Sequence, residues 1–159
     1  MIDREARAEA FKALRRFIEC QSTSDEYEDE YPLPDVSGRR RSPDPAIQAI
    51  YEFSWSWFDD FYPHKLDGPH SLPEDTRQVA ERCLLFLRSD VAYEWKQVRF
   101  IAAGAVLSNL ITLGMMGRRL AIEDQLAAHL DQPEGDAALW PFFRRSDYEH
   151  ETTRTVERQ

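Results

Sequence analysis

The chain carries four histidines, His64, His70, His129 and His150, and no two of them stand three or four positions apart. A zinc pair of the HxxxH kind on one helix face is therefore missing, as is the Glu-x-x-His spacing of carboxylate-bridged metal bundles. The nearest approach to a ligand set is His64, Asp67 and His70 in one proline-rich stretch, with Asp60 just upstream. Solvated loop histidines account for that trio as well as a metal does, so the sequence predicts no metal. Cys20 and Cys83 form no CxxC pair and have no histidine close in the chain. A cysteine nucleophile needs a base and a lowered pKa, which leaves both thiols as small apolar residues.

Paired acids occur at Asp59-Asp60, Glu74-Asp75 and Glu123-Asp124. Neighbouring side chains on a helix point about 100° apart, so none of these pairs is a ready two-carboxylate site. Phosphate-cradling and nucleophile-elbow motifs are absent, and six glycines leave little material for such loops. The sequence favours a non-enzymatic protein with no cofactor.

Recognition is the remaining chemistry. Asp25, Glu26, Tyr27, Glu28, Asp29, Glu30 and Tyr31 set five acids and two tyrosines in seven positions. Carboxylates steer a basic partner and tyrosines supply contact area, so the segment suits docking on a basic protein. An immunity-type inhibitor that covers the cationic face of a basic enzyme is one concrete form. Arg39, Arg40 and Arg41 follow closely and could fold back on the acids. The net charge of −9 argues against binding a phosphate backbone.

The segment Tyr51 to Tyr62 is crowded with aromatic residues, and its pattern from Ile47 onward predicts a helix with an apolar arc of about 200°. Asp44 and Pro45 mark its start as N-cap and first helical residue, and Pro63 its end. Ser54 is the one polar residue on the apolar face. Phe53 and Trp55, at the edges of that face, join the acidic segment as partner-binding candidates. A small-molecule-binding protein or enzyme is the competing reading, with a pocket lined by Trp55, Trp57, Tyr93 and Trp95 and a histidine as its polar group. A homo-oligomer built on the aromatic helix is a third.

The elements that must position these residues are all helical. Residues 3 to 20 form an amphipathic helix with Ala10, Phe11, Leu14, Phe17 and Ile18 inward and Arg7, Lys12, Arg15 and Arg16 between them. Residues 21–44 read as a long connector. Ser71 and Glu74 are spaced as a capping box for a helix from Leu72, whose inner face is Val79, Cys83, Phe86 and Leu87. An uncharged run from Phe100 to Gly117 belongs to a central helix at about 96–113, followed by a last helix near 118–130. Leu139 to Phe143 should cover one end of the bundle. The expectation is an all-α single-domain bundle of five or six helices over residues 1–143, with a frayed polar tail at 144–159.

A chain of 159 residues suits one domain. The uncharged run barely reaches spanning length and holds Ser108, Asn109 and Thr112, so no membrane span is predicted. No apolar run follows the first residues, and with unpaired cysteines this predicts a cytoplasmic protein.

Overall fold

The computed structural model describes residues 1–33, 42–58, 62–95 and 134–157. The fold is all-α, and no strand occurs among the described residues. Its α-helices are α1 (Arg4–Ile18), α2 (Ser24–Glu30), α3 (Pro45–Ser54), α4 (Glu74–Leu87) and α5 (Arg145–Val156). Single 3-10 turns occupy Trp55–Trp57, Gly68–His70 and Ala137–Leu139.

Helix α1 begins where Asp3 accepts a hydrogen bond from the Ala6 amide at 3.1 Å, satisfying one of the free N–H groups of the first turn. It packs against α2, α3 and α4. Its buried stripe runs through Ala6, Ala10, Ala13, Leu14, Phe17 and Ile18, close to expectation, but it also includes Arg7 at 1% exposure. At the other end the Gln21 amide reaches back to the Arg16 carbonyl at 2.8 Å and the Cys20 amide to that of Phe17 at 3.0 Å. This is a Schellman closure, with Cys20 at φ 57° in the left-handed position that usually selects glycine.

Arg7 is buried because each of its three nitrogens has an acceptor. Its Nε donates to Asp44 at 2.6 Å and its Nη2 to the other Asp44 oxygen at 3.3 Å, while Nη1 reaches the carbonyls of Ser89 at 3.0 Å and Val91 at 2.9 Å. Asp44 meanwhile caps α3 through the Ala46 amide at 3.1 Å and accepts from the Asp3 amide at 3.2 Å. One carboxylate and one guanidinium thus tie together the starts of α1 and α3 and the chain leaving α4. The guanidinium also lies 4.9 Å from the Phe86 ring centre. Placing Arg7 among the solvated positions of α1 is therefore corrected: positions 7, 10, 14 and 17 form one stripe.

Three further expectations change. The segment Ser24 to Glu30, expected inside a connector, is helix α2, because Thr23 and Glu26 make a capping box. Thr23 Oγ1 accepts from the Glu26 amide at 3.3 Å and the Thr23 amide donates to Glu26 at 2.8 Å. The proposed box at Ser71 does not form, and α4 starts two residues later than Leu72, at Glu74, after Pro73 and without a side-chain cap. The aromatic helix ends at Ser54, well before Pro63. Ser54 and Ser56 both turn their hydroxyls onto carbonyls three residues back, at 2.8 Å each, which competes with the helical ladder and leads into the 3-10 turn.

The C-terminal tail, expected to fray, is helical as α5. Tyr148 holds it against Phe142 with ring centres 5.5 Å apart, and Glu151 is buried while bonded to Arg154 at 3.0 Å. The block Leu139 to Phe143 packs on the described helices as expected. Phe142 meets Phe86 of α4 edge-on at 5.0 Å, and Trp140 meets Phe53 of α3 at 4.6 Å. The expected helices at 96–113 and 118–130, and Arg39 to Arg41, lie outside the described residues. No helix among the described residues is long and apolar enough to cross a membrane.

Candidate functional site

A seven-residue helix is too short to persist in water by itself, so α2 depends on what its inner face touches. That face is Ser24, Tyr27 and Tyr31, all buried. The Tyr27 ring stacks on Phe17 of α1 at 4.7 Å and 7°, and its hydroxyl shares a 2.7 Å hydrogen bond with Ser54. Tyr31 donates to the Ile47 carbonyl at 3.0 Å and meets Tyr27 edge-on at 5.4 Å. Burial pushes both phenols well above their ordinary pKa, so they remain neutral donors. The reading of Tyr27 and Tyr31 as partner-contact area is corrected, since both are spent on the core. Ser54, the apparent intruder on an apolar face, is the partner that lets Tyr27 be buried without an orphaned hydroxyl.

The outer face holds Asp25, Glu26, Glu28, Asp29 and Glu30, every one exposed. They do not have equal freedom. Glu26 is held by the Thr23 amide, and that hydrogen bond is the chief cause of its lowered pKa. Glu30 is ion-paired with Arg16 of α1, and Glu28 accepts from the Tyr51 hydroxyl at 3.1 Å. Each of these contacts leaves carboxylate lone pairs open to solvent. Asp25 and Asp29, one turn apart, complete a strip of negative charge fixed to α1 and α3.

Tyr51 was not singled out from sequence, yet it is the α3 residue that adjoins this strip. It packs near Tyr27 and Tyr31, with ring centres 6.2 and 5.3 Å away. Phe53 lies toward a different neighbour. It contacts Trp140 and meets Trp57 edge-on at 5.8 Å, so it joins the C-terminal aromatic block and not the acidic strip. Trp55 is half-buried at the start of the 3-10 turn. The signal that could have separated these residues is the helical angle: Tyr51 and Phe53 point about 200° apart.

The proposed pocket residues Trp57, Tyr93 and Trp95 pack on other aromatic residues of the core. Trp140 donates from its ring N–H to the Tyr93 hydroxyl at 3.2 Å, and Trp95 donates to the Pro141 carbonyl at 3.1 Å. Tyr93 meets Phe86 edge-on at 6.1 Å and Trp95 meets Phe143 edge-on at 5.0 Å. Trp57 meets Phe53 and Tyr93 is bonded to Trp140, while Phe53 and Trp140 pack on each other; Trp95 is buried beside Pro141 and Phe143. These rings knit the C-terminal block to α3 and α4.

His64 and His70 do come together, with ring centres 4.2 Å apart, while Asp67 is exposed at the start of the 3-10 turn that carries His70. Among the described residues no group of three or more histidines, cysteines and carboxylates could hold a metal ion. Cys83 is buried, and desolvation raises its thiol pKa far above the range of a nucleophile. The Cys20 thiol donates to the Leu66 carbonyl at 3.2 Å. Comparison with known protein families, with characterised proteins and with solved structures finds no match.

Proposed function

We propose that the protein is a non-enzymatic interaction domain that docks a basic protein partner on the outer face of α2. The observation that carries this reading is the division of labour within seven residues: two tyrosines anchor the helix and five carboxylates stand exposed on it. A charged surface fixed in advance loses less conformational entropy on binding than a flexible acidic loop, and it steers a cationic partner during encounter. An immunity-type inhibitor, presenting acid where a basic enzyme takes its anionic substrate, is the specific form with which this arrangement is compatible.

The test uses Asp25→Asn, Glu28→Gln and Asp29→Asn together. These changes remove charge while keeping shape, the Tyr51 contact and the Glu26 cap. Proteins cross-linked to the wild-type chain under native conditions are identified, and the dominant basic partner is titrated against both forms. The wild type should bind it at least about tenfold more tightly, with an advantage that shrinks as salt is added. Equal affinity of the two forms would remove the proposal.

A further inference from the structure

The rings that join α3 to the C-terminal block are not fully enclosed. Phe53, Trp57 and Tyr93 are each partly exposed, whereas Trp140 is buried. Phe53 and Trp57 stand edge-on at 89°, and Phe53 and Trp140 are tilted at 42°. Parallel stacking covers ring faces, but these angles leave π-faces turned in different directions. The Tyr93 hydroxyl accepts from the Trp140 ring N–H at 3.2 Å, which fixes a fourth ring beside the other three. The Trp57 ring N–H is buried and has no acceptor among the described residues, so the chain's own groups do not complete this cluster.

Glu52 brings a negative charge to the same place. It is half-buried on α3, next to Phe53 in the chain, and accepts from the Gln48 side-chain amide at 2.7 Å. Burial raises its pKa and the Gln48 bond opposes the rise, and no cation among the described residues is paired with it. Burial also raises the pKa of Tyr93, and the Glu52 charge adds to that rise, which puts the carboxylate within electrostatic reach of the Tyr93 ring.

We propose that Glu52, Phe53, Trp57, Tyr93 and Trp140 form a binding site for a quaternary ammonium group, as found on choline-like molecules and on trimethylated lysine. The negative face of an aromatic ring attracts a cation most strongly where water is partly excluded, and a nearby carboxylate adds a direct charge. The methylation follows from the hydrogen bonds on offer. A lysine ammonium brings three N–H donors and a guanidinium five, and each needs an acceptor once it leaves water. Glu52 already takes the Gln48 amide and Tyr93 the Trp140 ring N–H, so few acceptors remain. A quaternary ammonium has no N–H to satisfy, and it spreads its charge over methyl groups that pack on rings. The site does not depend on what the outer face of α2 binds.

The test follows tryptophan fluorescence and the indole N–H signals in NMR, at constant ionic strength, while choline or its neutral carbon isostere neohexanol is added. Choline should give saturable changes with a Kd of about 0.1–10 mM, and neohexanol should bind at least about tenfold more weakly. Glu52→Gln keeps the shape of the side chain and can still accept from Gln48. It should weaken choline binding at least about fivefold and leave neohexanol unaffected. A short peptide carrying trimethyl-lysine, set against the same peptide carrying lysine, identifies the source of the group: tighter binding of the trimethylated peptide than of choline marks a protein ligand, and the reverse a free small molecule. Should Glu52→Gln fail to fold, the comparison of choline with neohexanol on the wild type decides the matter. The proposal is overturned if neither choline nor the trimethylated peptide produces a saturable change up to about 100 mM. It is also overturned if each binds no better than its control, or if folded Glu52→Gln binds choline as the wild type does.

Discussion

Helix α1 places its arginines in two contrasting settings. Near its start, Arg7 pairs with Asp44 with side chains 2% and 1% exposed; near its end, Arg16 pairs with Glu30 with side chains 43% and 39% exposed. The inner pair has lost its water and survives only because each guanidinium nitrogen has an acceptor: two carboxylate oxygens and the carbonyls of the chain leaving α4. The outer pair keeps most of its solvation and contributes little to stability. Charge inside this molecule builds the fold, whereas charge outside is exposed to solvent and, on the proposed reading, to a partner.

The largest effect should come from breaking the inner pair. Arg7→Ala leaves Asp44 buried with its charge uncompensated and should cost about 3–5 kcal/mol in denaturant unfolding. A loss under about 1 kcal/mol would show that the inner and outer pairs are energetically alike. Tyr27→Phe removes one buried hydrogen bond but keeps the stack on Phe17, and should cost about 1 kcal/mol. Thr23→Ala removes half of the capping box of α2 and should cost about 1 kcal/mol or slightly less, seen also as faster exchange of the Glu26 amide. The smallest effect belongs to the outer pair: Arg16→Ala should stay within about 0.5 kcal/mol of wild type.

Much of this division was legible in the residues. The spacing of Ala10, Leu14 and Phe17 defines the inner stripe of α1, Asp44-Pro45 marks the start of α3, and Cys83, Phe86 and Leu87 face the core of α4. The acidic segment stood out by composition, yet composition also concealed its structure. Five acids in a row of seven read as solvated loop, although Thr23 with Glu26 is a capping box and Ser24, Tyr27 and Tyr31 share a helix face. Arg7 is a related case: its charge suggests a place in water, while its position on the stripe of Ala10 and Leu14 points inward. The tail at 145–156 looked unable to fold because its pinning contacts, Tyr148 on Phe142 and Arg154 on Glu151, depend on tertiary neighbours and on a local ion pair inside a polar sequence.

Other features had no local signature. His64 and His70 are six positions apart, a separation at which no regular element brings two rings together, so only the path of the loop places their ring centres 4.2 Å apart. The early end of α3 arises from serine hydroxyls bonding back to the chain, which a wheel projection of apolar residues does not register.

The most direct test of the claim that the charges of Asp25, Glu28 and Asp29 are not needed for folding is urea unfolding of the chain carrying Asp25→Asn, Glu28→Gln and Asp29→Asn. The predicted result is a stability within about 0.5 kcal/mol of wild type or slightly above it, because like charges on one short helix have been removed and no buried contact has changed. A loss of more than about 1.5 kcal/mol would contradict the account, by showing that these three charges hold the fold together.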